Sequence, residues 1–537
     1  MNDSVKWWQK AVVYQIYPLS FKDSNHDGIG DILGIIEKLD YIKNLGVDVI
    51  WLSPIYQSPM EDNGYDISDY YQIDPVFGTF SDFLQLLKEV HLRDMKMIMD
   101  LVVNHTSDEH IWFKESKKSL DNPYRDYYIW KDKPTDISSV FSGSAWEFDE
   151  NTKQYYFHLF SKKQPDLNWQ NPKLRQVIYE MINYWLNLGI DGFRLDVIDL
   201  IGKDIEHVQI GNGPFLDQNL KELYDTCFKG RNIMTVGEMP TLSIQKAAQI
   251  TNQNAPLLNM IFQFEHLSLD EIPKRGKWML QKLDLIEFKA YFDKIQKTNF
   301  NHGWNSLFLS NHDQPRVVSR FGNLSYRKES AKMLATILYS MQGTPYVYQG
   351  EEIGMTGVRF QNISEYKDVE TLNMYHEFLD KKVPMKDIME SIYAKSRDNS
   401  RTPMQWNNQL YAGFSDENPW LMVNPNYKEI NATFDLEDQD GVFFFYKKLF
   451  EIRKSYTVFD LGDFNLIYPK DAFLFAYTRK YKEQLILVIG HFNNQEAEYD
   501  LEEFKDMDCL LTNKSSLKLS NKTMISPYYC AIYYKNH

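Results

Sequence analysis

A chain of 537 residues exceeds one ordinary domain, and 43% apolar with 25% charged residues is the make-up of a globular protein with a sizeable core. A formal charge of −15 with no long Lys/Arg run argues against a nucleic-acid or anionic-membrane surface. Three cysteines without C-x-x-C spacing, Cys227, Cys509 and Cys530, argue against a disulfide framework or zinc site and suit a reducing compartment.

The first residues hold no uninterrupted apolar run, and no stretch of about 18 apolar residues occurs anywhere. The expectation is a cytoplasmic, soluble protein with neither membrane nor nucleic acid as partner.

In chain order, short β-branched or aromatic runs alternate with helical patterns. The run 11–17 reads as a strand, 32–45 as a helix, 47–52 as a strand, 81–92 as a helix and 95–103 as a strand. Further strand-like runs lie at 192–197, 232–238, 259–264, 306–310 and 344–349. Strands joined by helical crossovers are parallel, and these eight are the number that closes a (β/α)8 TIM barrel. Between residues 104 and 172 the alternation stops in a segment rich in Ser, Asp, Pro and aromatics, too long for an ordinary loop. After residue 459 short alternating stretches such as 473–478 and 484–489 read as an antiparallel β domain. The expected division is a barrel over 1–103 and 173–459, an inserted B domain over 104–172, and a C-terminal β-sandwich domain over 460–537.

Several of the expected strands end in polar residues, where a barrel of this kind carries its chemistry. The third runs Asp100-Leu-Val-Val-Asn-His105, the fourth carries Arg194 and Asp196, the fifth ends in Glu238, and the seventh runs into Asn311-His-Asp-Gln-Pro-Arg316. Arg194 and Asp196, two apart in a strand, share a face, and a guanidinium beside a carboxylate favours its ionised form. Asp196, Glu238 and Asp313 have no metal-ligand spacing or glycine-rich phosphate loop nearby. Carboxylates without a cofactor are the apparatus of glycosidic-bond cleavage, one as proton donor and one as nucleophile or water activator. The pairing with Arg194 gives the ionised role to Asp196 and leaves Glu238 as the donor.

These motifs resemble the four signature regions of glycoside hydrolase family 13, the α-amylase superfamily: Asp100–His105, Gly192–Asp196, Gly237–Glu238 and Asn311–Asp313. The resemblance covers nearly the whole chain. It implies a (β/α)8 barrel with a B domain inserted after strand 3 and a C-terminal antiparallel β domain. It also implies a retaining mechanism, with Asp196 as nucleophile, Glu238 as acid/base and Asp313 stabilising the distorted sugar. Gln164-Pro-Asp-Leu-Asn168 and Ser400-Arg-Thr-Pro-Met-Gln-Trp406 are similar to further signatures of the oligo-1,6-glucosidase and dextran glucosidase subgroup. In that subgroup the equivalents of Asp62, Tyr65 and Arg401 close the pocket around the non-reducing glucose, which makes the enzyme exo-acting. His105 and His312 are then expected to bond the sugar hydroxyls, beside Arg194. Val197, following the nucleophile, resembles the residue of α-1,6-preferring members.

The run Asp23-Ser-Asn-His-Asp-Gly-Ile-Gly-Asp31 places oxygen ligands at alternate positions, as a hard-cation loop does, but Gly34 stands where an EF-hand needs its Glu. The resemblance implies a structural Ca2+, with Mg2+ as the alternative, on Asp23, Asn25, Asp27, the carbonyl of Ile29 and Asp31. No organic cofactor is expected. The substrate is expected to be a small oligosaccharide and the protein a monomer. Trehalose-6-phosphate hydrolases and sucrose isomerase-type transglucosidases share the catalytic acids and stay open as alternatives.

Overall fold

The computed structural model describes residues 5–536. Its centre is eight parallel strands: β1 (Val13–Ile16), β2 (Val49–Leu52), β3 (Lys96–Leu101), β4 (Gly192–Leu195), β5 (Met234–Glu238), β6 (Met260–Phe262), β7 (Ser306–Leu307) and β8 (Thr344–Tyr348). They pair in the order β6-β5-β4-β3-β2-β1-β8-β7, and a parallel bridge between Ile261 and Asn305 joins the two ends into a barrel. Residues of these strands are buried almost without exception, which is why their sequences are continuous apolar runs and not alternations. β4 opens on a glycine by necessity, because a Cβ on Gly192 would lie 1.8 Å from the carbonyl oxygen of Met234 on β5.

All eight expected strands form, each trimmed by the barrel geometry. The helix expected over 32–45 is two, Ile32–Glu37 and Leu39–Asn44, broken at Lys38, whose N–H reaches back to Ile35 as well as Ile36. The next runs Phe80–Leu92 and starts from a capping box between Thr79 and Asp82.

Between β3 and the helix Pro172–Leu188 the chain folds a three-stranded antiparallel sheet, with Trp130–Lys131 and Trp146–Asp149 on either side of Gln154–Phe157. This insertion packs Ile137, Trp146, Phe157 and Leu159 onto Leu200 and Ile205, which follow β4. A buried ammonium ties the seam: Lys203 Nζ donates to Asn104 Oδ1 at 2.6 Å and to Asp166 Oδ2 at 2.5 Å, while Asp166 Oδ1 accepts from Leu159 N at 2.8 Å.

The last part of the chain forms a five-stranded antiparallel sheet in the order 465–467, 474–481, 484–491, 530–536, 508–512, with a separate two-stranded ribbon. Leu474 and Ala476 face a core of their own, whereas Phe475 and Tyr477 face the barrel, the period-two consequence of a strand buried on both sides. Lys289, on the helix Leu285–Asn299, docks this sheet by donating to the carbonyls of Tyr468, Asp471 and Leu474 at 2.8, 2.6 and 2.9 Å.

Replacing Lys203 strips a buried carboxylate of its counter-charge. Lys203→Met is expected to lose about 3–5 kcal/mol of stability in chemical or thermal unfolding. A loss near zero would mean that the insertion is held by its apolar contacts alone.

Candidate active site

The C-terminal ends of β3, β4 and β5 meet on one guanidinium. Arg194 Nη1 donates to Asp100 Oδ1 and to Asp196 Oδ1, each at 2.7 Å, and Nη2 donates to Glu238 Oε2. Its side chain is 1% exposed and lies over the rings of Trp51 and Tyr65. Asp100 is held further by Trp51 Nε1 at 3.0 Å and the Tyr65 hydroxyl at 3.1 Å. The pairing of Arg194 with Asp196 read from their spacing is present. Burial pushes the Asp196 carboxyl well above the usual carboxylate range, Arg194 pulls it down, and Glu238, Asp100 and Asp313 push it up again. One positive charge is shared by three carboxylates.

Asp313 is the opposite case. Burial works against its charge, but His312, Arg401 and Arg397 outweigh it and hold the carboxyl well below the usual range. Arg401 Nη2 donates to Asp313 Oδ1 at 2.6 Å, Arg397 Nη1 lies 3.4 Å from the same oxygen, and His312 Nε2 lies 3.0 Å from Oδ2. The Gln15 amide nitrogen is 2.8 Å from His312 Nδ1, on the side of the ring away from Asp313. The Tyr65 ring stacks on His312 with centroids 5.1 Å apart and planes at 4°.

These groups surround a cavity of about 270 Å3 lined by Asp62, Tyr65, His105, Asp196, Glu238 and Asp313, with Val197 and the rings of Phe141, Phe160 and Phe264 beside them. On the cavity wall Asp62 Oδ1 is paired with Arg397 Nη2 at 2.9 Å, and Gln164 Nε2 donates to the other Asp62 oxygen at 3.2 Å. Here the residue assignment changes. Arg401 is buried behind Asp313, its Nε bonded to the His312 carbonyl at 2.9 Å, and the guanidinium that meets Asp62 is that of Arg397. His105 is buried and neutral, burial holding its pKa down, with Nδ1 3.0 Å from the Asn104 amide and Nε2 3.0 Å from the Tyr65 carbonyl. It therefore orders the Tyr65 backbone as well as lining the cavity.

Sequence reasoning did not single out Asp100 as a partner of Arg194, nor Arg397, nor the ion pair between Lys277 Nζ and Glu370 Oε2 at 2.5 Å on the cavity wall. Arg397 lies one helical turn before Arg401, and that spacing was its available signal.

The loop 23–31 lies apart from this cavity. Asp23 accepts from the N–H groups of Asn25, His26 and Gly28 and from Ser415 Oγ at 2.5 Å. Asp31 caps the helix at Gly34 N and accepts from Ser24. Its donors are all oxygens, as a hard cation requires, but the Asp23 and Asp31 carboxylates are engaged in hydrogen bonds within the loop and to Ser415 and Gly34. Among the described residues no three His, Cys, Asp or Glu side chains converge as a metal-binding group.

The family description "Alpha amylase, catalytic domain" matches residues 15–462. An oligo-1,6-glucosidase of Bacillus cereus is 52% identical over 532 residues, 95% of either chain, and a glucan 1,6-alpha-glucosidase of Streptococcus pneumoniae is 49% identical over 97% of this chain and 98% of its own. The crystal structure of trehalose-6-phosphate hydrolase from Bacillus licheniformis superposes with a TM-score of 0.94 at 48% identity, covering 99% of this chain and 100% of that one.

The charges around Asp313 give a pH signature. Because its folded-state pKa is depressed, its contribution to stability is fully present above the unfolded value of ~3.8 and is lost as pH falls through the folded value. Asp313→Asn should therefore flatten the acid limb of Tm against pH below ~4 relative to the parent. Superimposable curves would show that the Arg401 and His312 contacts do not stabilise the carboxylate.

Proposed function

The chain belongs to the α-amylase family of glycoside hydrolases, and from that premise we propose a retaining, exo-acting α-glucosidase that hydrolyses α-1,6-glucosidic bonds at the non-reducing end of isomalto-oligosaccharides. The observation that carries the reading is the cavity: Asp196 and Glu238 stand on its wall beside the Asp62–Arg397 ion pair, which we take to close one end. A glucosyl unit can fill it, but a chain cannot run past it.

Asp196 attacks the anomeric carbon while Glu238, in its acid form, passes a proton to the glycosidic oxygen. The C–O bond breaks, the shortened sugar leaves, and a glucosyl ester remains on Asp196. Glu238, now a carboxylate, takes a proton from water, whose oxygen displaces Asp196 and restores the configuration. Asp313, held ionised by Arg401 and His312, faces the positive charge that develops on the ring.

Two features support a neutral substrate over a phosphorylated one. The cations lining the cavity among the described residues are Lys277 and Arg397. Lys277 is neutralised by Glu370, and Arg397 faces Asp62, Asp313, Asp368 and Glu370, so neither is left to meet a phosphate. Val197 supports the linkage preference. It lines the cavity with a β-branched side chain fixed by a left-handed backbone, φ 35°.

Assays on isomaltose, panose, maltose, sucrose and trehalose 6-phosphate test the reading. Isomaltose should be hydrolysed best, Val197→Ala should raise maltose relative to isomaltose, and Asp196→Ala should lose at least ~10⁴-fold in kcat. Preference for the phosphorylated sugar, or full activity in Asp196→Ala, would sink it.

The loop 23–31 is proposed to hold a structural Ca2+ on Asp23, Asn25, Asp27, the Ile29 carbonyl and Asp31, with Mg2+ as the competing occupant. The all-oxygen donor set supports this. Ca2+ should raise the Tm of chelator-treated protein, Mg2+ should do so less, and Asp27→Ala should not respond; a Tm indifferent to both ions would discard the site. A cytoplasmic monomer completes the proposal. Support comes from three free cysteines, two of them buried, and from the absence among the described residues of any helix long and apolar enough to cross a membrane.

A further inference from the structure

Three residues beyond Asp196, Asp199 is fully buried in the helical turn Ile198–Gly202, and three residues beyond Glu238 stands Thr241. The two are bonded twice: the Thr241 N–H donates to Asp199 Oδ2 at 3.2 Å, and the Thr241 hydroxyl donates to the same oxygen. The loop after β4 is thus fastened to the loop after β5, each at the same distance in sequence from its carboxylate. Gly211 closes the space behind Thr241, since a Cβ there would lie 2.4 Å from the hydroxyl oxygen. A second tie runs the same way, from the Val197 N–H to Glu238 Oε2 at 3.3 Å.

The clasp is expensive to keep. Asp199 Oδ1 is buried without a hydrogen-bond partner among the described residues, and burial lifts the carboxyl to about 6. A buried group left half-satisfied beside reacting groups calls for a reason beyond packing. Glu238 supplies one. Among the described residues its carboxylate is bonded only to Arg194 and to the Val197 N–H, so its place along the cavity wall depends on how the loop that follows it is held.

We propose that Asp199 and Thr241 are positioning residues for proton delivery: their clasp fixes the loop after β5 so that Glu238 reaches the glycosidic oxygen. This rests on the assignment of Glu238 as the acid. Its signature is a dependence on the leaving group, because an aryl glucoside with an acidic phenol departs with little protonation, whereas a sugar alcohol does not.

Thr241→Val, which keeps the shape and removes the hydroxyl, should lower kcat/KM for isomaltose roughly tenfold, the effect of losing one hydrogen bond to a buried carboxylate, and change that for 4-nitrophenyl α-glucoside less than about twofold. Thr241→Ser should restore isomaltose hydrolysis. Equal losses on both substrates, or none on either, with an unchanged circular dichroism spectrum, overturn the clasp. Glu238→Gln separates the two levels: if it shows no leaving-group split, the role of Glu238 falls and the clasp with it; if it shows the split and Thr241→Val does not, only the clasp falls.

Discussion

A single guanidinium serving three carboxylates sets the terms for the rest of the molecule. Arg194 can be buried only because Asp100, Asp196 and Glu238 surround it, and they can be brought together only because three adjacent strands are in register. Asp100 lies opposite Arg194 in the pairing of β3 with β4, and Val236 lies opposite it in the pairing of β4 with β5. A slip of one residue in either pairing would turn the charged groups away from each other and leave each unpaired inside the barrel. The fold and the chemistry are therefore held by the same constraint. A misregistered barrel is penalised electrostatically as well as by its packing.

A second cationic centre organises the mouth. Arg397 gathers Asp62, Asp368, Glu370 and Asp313 from separate segments, and Lys277 joins through Glu370. These acids lie outside the barrel strands, Glu370 in the first turn of the helix Val369–Asp380 and Asp368 at its N-cap. Their common attraction to one guanidinium draws the segment around Asp62 against the segment 368–397, which shapes the cavity from groups far apart in the chain. Lys203 does the same for the insertion, taking up Asn104 at its start and Asp166 near its end.

How far the sequence was readable follows from the range of the forces involved. Arg194 and Asp196 are two residues apart on one strand, so the face they share could be read directly. The eight strands were legible because burial on both faces leaves long apolar runs. The seam partners of Lys203 were not, since the insertion must fold back before Asp166 comes near it. Arg397 and Arg401 stand one helical turn apart, and local pattern gives no means of choosing which meets Asp62. The break at Lys38 was invisible for the same reason, because nothing in residues 32–45 interrupts the helical periodicity.

The proposed closure of the cavity at the Asp62–Arg397 ion pair also dictates an order of events in time. With one doorway for everything, the shortened sugar must clear it before water can reach the glucosyl ester, and free glucose must leave by the same path before another chain end enters. The remainder of the oligosaccharide cannot slide forward by one unit while still bound, as it could in a groove open at both ends. Each cut then requires complete dissociation and a new encounter. A long chain is shortened in unconnected visits, so intermediates of every length accumulate in solution.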